Sequence, residues 1–241
     1  IKHTNPCGCA IGKNLLEAWE KALASDPVSA FGGVLACNRS VDLAVAEAMN
    51  ALFFEVLVAP DFHPEALALL SQKKNRILLK RKHTNSSAVS VKQVLNGYLV
   101  QDRDLKNLAA KDLVVKTSRQ PSASELDDVY FGDKVVKHLK SNAIALVKDR
   151  QLIGSGVGQT SRIDALKQAL AKAAEKGFDL RGATLASDAF FPFADAVESA
   201  YEHGIRVVVE PGGSIRDEDT VNFCENHDMC LIFTGLRHFK H

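Results

Sequence analysis

Amphipathic stretches alternate with short apolar runs along most of this chain, and no other feature restricts its fold as much. In "NLLEAWEKALAS" (14–25), Leu15, Leu16, Trp19, Ala22 and Leu23 recur at helical spacing. "DPVSAFGG" breaks that helix with Pro27 and a Gly pair. "VLACN" predicts a short buried strand, 41–52 a helix, "FFEVLVAP" (53–60) a strand closed by proline, 63–74 a helix and "RILLK" (76–80) a strand. Helix alternating with apolar strand predicts an α/β fold with parallel pairings.

Residues 81–93 are polar with little periodicity and read as a surface connection and a boundary. "VLNGYLVQDRDL" (94–105) predicts a strand or hairpin. Ser122, three residues before Glu125, is a capping-box start for a helix running to about residue 140. "AIALVKDRQLIGSGVG" predicts two strands joined by a polar turn. "RIDALKQALAKAAEKG" is an amphipathic helix closed by Gly177. Strand "GATLASD", helix "FADAVESAYEHG", strand "IRVVVEP", helix "DEDTVNFCENHD" and strand "MCLIFTG" follow. Residues 1–80 and 120–241 thus share an element order.

Composition narrows the function classes. The 241 residues are 46% hydrophobic and 24% charged with a formal net charge of +1, an ordinary globular balance without the basic excess of a nucleic-acid surface. No apolar run approaches the roughly 18 residues that span a membrane, and no signal peptide is visible. The five cysteines (Cys7, Cys9, Cys37, Cys224, Cys230) are odd in number, and three lie in apolar surroundings. They read as buried reduced thiols of a cytosolic protein. Cys7 and Cys9 are one residue apart, closer than zinc signatures place their cysteines.

Ligands of open α/β sheets sit at the carboxyl ends of strands, in loops leading to helices. Three such loops stand out. In "GSGVGQTSR" (154–162), Gly154, Gly156 and Gly158 allow close backbone approach, and Ser161 with Asp164 caps the next helix. A structural turn and an anion-binding loop are equally open there. In "SDAFFPFAD" (187–195), Phe190, Phe191 and Phe193 either clamp a flat ring or staple a helix to the sheet. In "EPGGSIRD" (210–217), Ser214 with Asp217 caps another helix, beside a Gly pair that an anion or polar ring could approach. The opening "KHTN" supplies a cation and a base that titrates near neutrality.

"KHTNPCGCAIG", "SDPVSAFGGVLACNR", "NGYLVQDRD", "KSNAIALVKDRQLIGSGVGQTSRID", "SDAFFPFADAVESA", "PGGSIRDED" and "FTGLRHFKH" occur in this order from residue 1 to 241. Together they resemble the formyltransferase domain of the AICAR transformylase/IMP cyclohydrolase family. The resemblance implies two tandem cytidine-deaminase-like α/β/α three-layer units, here 1–93 and 94–241. It implies transfer of a formyl group from the co-substrate 10-formyltetrahydrofolate to the 5-amino group of AICAR, without catalytic metal. It also implies a cytoplasmic homodimer with its site between subunits, and no nucleic-acid or membrane partner.

By motif, Lys2 and His3 match the family's catalytic pair: His3 takes a proton from the attacking amine, and Lys2 stabilises the oxyanion. Asn142 matches the asparagine that orients the reacting groups. Arg162 and Arg237 match arginines that contact the nucleotide, its phosphate included. Ala189 and Phe190 match contacts to the aminoimidazole carboxamide, and Gly32 and Glu55 further nucleotide-site positions. Ser161, Ile163, Pro192 and Phe193 match the folate side. Ala194 departs from the arginine that relatives often carry there. The chain starts at the Lys-His motif, so the resemblance implies an upstream cyclohydrolase domain and an early phosphate-binding segment outside it. No cyclohydrolase activity and weakened or lost transformylase activity are the expectation. Two rival readings are a zinc nucleoside deaminase, whose H-x-E and P-C-x-x-C signatures are missing here, and a non-catalytic fragment that binds nucleotide or dimerises.

Overall fold

A computed structural model describes residues 1–82 and 87–240. The connection expected over 81–93 therefore lies partly outside the described residues.

The first part runs α1 (Leu15–Ser25), α2 (Pro27–Ala30), β1 (Gly33–Ala36), α3 (Leu43–Asn50), β2 (Phe54–Ala59), α4 (Pro64–Leu70) and β3 (Ile77–Lys80). Asn14 caps α1 by accepting from the Glu17 N–H, and Asp42 caps α3 through Val45. The segment read only as a helix breaker re-forms a turn of helix, because Asp26 caps it and Pro27 occupies its first position. Strands β1, β2 and β3 pair in parallel in that order. Leu35 and Leu57 join Trp19, Val45, Met49 and Leu70 in one core. The opposite face of this sheet leaves Val34, Ile77 and Leu79 exposed.

Next comes an antiparallel hairpin, β4 (Val89–Val94) and β5 (Gly97–Asp102). The boundary expected at 93/94 falls inside β4. The hairpin reading of 94–105 thus supplied the second strand and missed the first, which carries Ser90, Lys92 and Gln93 where a buried strand would be apolar.

The second part comprises β6 (Val114–Val115), α5 (Ala123–Val136), β7 (Ile144–Lys148), β8 (Gln151–Gly156), α6 (Arg162–Glu175), β9 (Thr184–Ser187), α7 (Asp195–Glu202), β10 (Val207–Glu210), α8 (Asp217–Asn226) and β11 (Cys230–Phe233). The Ser122–Glu125 capping box forms as read, and α6 is followed by Gly177 at φ +74. The six strands order β6-β11-β10-β9-β7-β8. Strands β9, β10 and β11 are parallel, while β7 is antiparallel to both β8 and β9. Alternate residues feed two cores. Ile144, Leu146, Leu185, Val208 and Leu231 pack under α6, α7 and α8. Ala145, Val147, Ala186, Val207, Val209 and Ile232 pack under α5. A sheet covered on both faces explains the unbroken apolar runs of its strands.

Candidate active site

Because β8, β9, β10 and β11 run the same way and β7 the opposite way, five connections meet at one edge of the large sheet. These are 141–143, 157–161, 188–194, 211–216 and 234–240, so the three loops singled out in the sequence do come together.

Asp188 stands at their centre. Its carboxylate, fully buried, accepts from Ser141 Oγ at 2.6 Å and Ala143 N at 3.1 Å, and pairs with Arg162 Nη1. Arg162, 8% exposed at the start of α6, also donates Nη1 to Ala143 O and Nη2 to Asn142 Oδ1, each at 3.1 Å. Both terminal nitrogens of Arg162, expected beside the nucleotide, are thus bonded within the chain, and Nε is buried without a partner among the described residues. Asp188 carried no role in the sequence reading, although it lies inside the quoted "SDAFF". The peptide bond Ser141–Asn142 is cis.

The opening loop is fastened to this edge. Lys2 and Asn5 exchange two backbone hydrogen bonds of 2.9 Å, and Asn5 Nδ2 donates to His3 O. This holds His3 and Thr4 at φ +48 and +65, in the left-handed region. Asn5 Oδ1 accepts from Lys140 N at 3.0 Å, and Lys240 Nζ donates to Thr4 O at 3.2 Å. On the other side, Lys2 Nζ donates to Phe31 O at 2.8 Å. Gly32, at φ +67, leaves a Cβ position only 3.7 Å from Lys2 Nζ. Gly32 N donates to Phe53 O, and the Phe31 and Phe53 rings meet at 5.1 Å. Glu55 follows on β2 with an exposed side chain. Lys2, His3 and Gly32 therefore sit together, with Glu55 two residues beyond Phe53.

In the 188–194 loop, Ala189 is buried, Phe190 half-buried, and Pro192 and Phe193 exposed. Ser187 Oγ donates to Ala189 O at 2.6 Å. The Phe191 N–H donates to Glu210 Oε2 at 2.9 Å, and Phe191 itself is a core residue that staples the loop down. Burial pushes the Glu210 carboxyl up to about 8. Phe193 lies under the Arg216 guanidinium at 4.9 Å. Ser161 caps α6 through the Asp164 N–H as read, and Ile163 packs half-buried against the core. Arg237 is exposed, 5.1 Å above the Phe239 ring.

Two expectations need correction. Gly154 and Gly156 serve packing rather than ligand approach: an added Cβ would lie 2.4 Å from Ala169 O and 1.7 Å from Ala165 O, so both let α6 press onto β8. Gly158, by contrast, sits in open space at φ +66. Ser214 does not cap α8. The Asp217 carboxylate reaches back to the Gly213 and Ser214 N–H groups at 2.7 and 2.9 Å, occupying the donors that an anion would need. The Ser214 hydroxyl accepts from Arg216 N instead.

All five cysteines are free thiols. Burial pushes Cys37 and Cys230 up to about 11 and Cys224 up to about 12. Only Cys224 and Cys230 are fully buried; Cys7, Cys9 and Cys37 are half-buried, Cys37 just beyond the end of β1. Among the described residues, no group of three or more His, Cys, Asp or Glu side chains is arranged to hold a metal ion. No described helix is long and apolar enough to cross a membrane.

Fold and site define an α/β protein whose polar side chains converge at the carboxyl ends of parallel strands. The family model described as "AICARFT/IMPCHase bienzyme" matches residues 1–172, and the chain belongs to that family. It is 53% identical over its full length to the bifunctional purine biosynthesis protein PurH of Bacteroides thetaiotaomicron, covering 48% of that protein. Against PurH of Aquifex aeolicus it is 49% identical over its full length, covering 47% of that protein. The chain thus spans about half the length of the curated relatives it matches. A dCMP deaminase from the cyanophage S-TIM5 superposes with a TM-score of 0.35 at 14% identity, over 46% of this chain and 98% of that one.

Proposed function

We propose that this chain transfers a formyl group from 10-formyltetrahydrofolate to the 5-amino group of AICAR, within the purine biosynthesis for which its PurH relatives are named. The amine attacks the formyl carbon and a C–N bond forms. His3 accepts the proton that the amine loses. Lys2 stabilises the oxyanion on the formyl carbon, beside the Phe31 carbonyl that already holds its ammonium. The oxyanion collapses, the bond to the folate nitrogen breaks, that nitrogen takes a proton, and FAICAR and tetrahydrofolate leave. Asn142 orients the reacting groups. Ala189, Phe190, Gly32, Glu55 and Arg237 form the nucleotide side, with Arg162 behind Asn142. Ser161, Ile163, Pro192 and Phe193 form the folate side.

One observation carries this reading: Asn5 ties the loop bearing Lys2 and His3 to Lys140, two residues from Asn142. The residues of the Lys-His pair and the orienting amide thereby share one edge. FAICAR formation from AICAR and 10-formyltetrahydrofolate tests it, with Lys2→Ala and His3→Ala as controls. Variants that match the unsubstituted chain would refute the assigned roles.

A homodimer belongs to the same proposal. A parallel sheet is ordinarily covered on both faces, yet Val34, Ile77 and Leu79 are exposed on β1 and β3. A second copy is the proposed cover, and light scattering that finds only monomer would remove it. The five free thiols fit a reducing, cytoplasmic setting.

A further inference from the structure

We propose that Asp188 is a positioning residue: through Arg162 it fixes the carboxamide of Asn142 with its NH2 group turned toward the substrate. The inference rests on the formyl-transfer reading, since it concerns the same site.

A guanidinium has only donors, so the atom of Asn142 that meets Arg162 Nη2 at 3.1 Å must be its oxygen. The Nδ2 group then faces the other way, and no hydrogen bond within the described residues engages it. Asn142 is half-buried at the mouth of the edge, so its two N–H donors are left for a ligand. They suit an acceptor such as the formyl oxygen and disfavour a donor.

Arg162 cannot hold that pose unaided. A guanidinium 8% exposed needs a compensating charge in the interior. Among the described residues, Asp188 is the only carboxylate bonded to it. The carboxylate is itself locked by Ser141 Oγ and Ala143 N, on either side of Asn142 in the chain. Asp188 therefore grips both the residue that orients Asn142 and the backbone that carries it. Its own main chain accepts from His238 N at 2.9 Å, which joins the C-terminal segment to the same point.

The test measures formyl transfer in this chain with Asp188→Asn, Asn142→Ala and the double substitution. Asp188→Asn should lower kcat by roughly ten- to a hundredfold while the KM for AICAR stays within about threefold, since orientation rather than binding is lost. In the Asn142→Ala background it should lower kcat by no more than about twofold, because the group it positions is gone. Full additivity of the two substitutions would overturn the proposal.

A readout independent of turnover is the pair of Asn142 side-chain amide protons in an NMR spectrum. Unsubstituted chain should give two signals displaced from the free-amide position, and Asp188→Asn should move them to that position. Unchanged signals would also overturn the proposal. Signals that move in a chain that never forms FAICAR would uphold the positioning role and refute the formyl-transfer reading. If Asp188→Asn does not fold, Ser141→Ala removes one of the carboxylate's bonds and should give a smaller kcat loss, about threefold, that disappears in the Asn142→Ala background. Persistence of that loss there would count against the proposal in the same way.

Discussion

His238 Nε2 stands 3.1 Å from Asp133 Oδ1 in the interior, with Asp104 Oδ2 2.5 Å from its other ring nitrogen. Burial works against a charge on this imidazole, but the bonds to Asp133 and Asp104 outweigh it and raise its pKa. His238 thereby clamps the segment carrying Arg237 to the start of the 103–109 connection and to α5. A raised histidine contributes stability that is fully present below its unfolded value of about 6.5 and is lost as pH rises through the folded value. Thermal melts across pH 5.5–9 should show a steeper loss in the unsubstituted chain than in His238→Gln. Asp133→Ala should cost about 3 kcal/mol at pH 6, since it leaves the charged ring short of a buried partner.

Glu210 gives a second, separable pH effect. Its carboxyl is pushed up to about 8, first by burial and then by the Asp217 charge, and its Oε1 has no partner among the described residues. A raised carboxyl contributes stability that is fully present below its unfolded value and lost as pH rises through the folded one. Between pH 5 and 8 the chain should therefore lose stability, and Glu210→Gln should flatten that slope. Chemical denaturation of both chains at pH 5 and pH 8 measures that difference in slope.

The glycines of the 154–158 segment should separate cleanly. Gly156→Ala places a methyl group 1.7 Å from Ala165 O and should cost more than about 3 kcal/mol as α6 is forced off β8. Gly158→Ala meets open space and should cost only about 1 kcal/mol, from its positive φ. Chemical denaturation of the two variants measures the difference.

Arg237→Ala should weaken AICAR binding roughly ten- to a hundredfold by calorimetry, the loss of one or two charge-assisted hydrogen bonds to a phosphate. Fold stability should hardly change, because the side chain is exposed and its described contact is the Phe239 ring.

Much of this architecture was legible in the residues. Apolar runs such as "IALV" and "VVVE" mark strands covered on both faces, and Ser122–Glu125 and Ser161–Asp164 mark helix starts, because those signals act over a few residues. The parts that escaped depend on contacts distant in sequence. Asp188 draws its partners from positions 141, 143 and 162, and His238 from 104 and 133. Nothing local distinguishes such an Asp or His from a solvated one. Ser214–Asp217 misled for a related reason. Its spacing is that of a cap, but the Gly pair before it let the Asp217 carboxylate fold back onto the loop instead. Gly154 and Gly156 looked like a ligand loop because close approach of a helix and of a ligand demand the same residue.

The most direct measurement follows a radiolabelled formyl group from 10-formyltetrahydrofolate to AICAR, a format that detects even slow transfer. Label should appear in FAICAR with the unsubstituted chain and fall by roughly a hundredfold or more in His3→Ala, the range expected for loss of a general base. No label in FAICAR, or a rate indifferent to both Lys2→Ala and His3→Ala, would contradict the account.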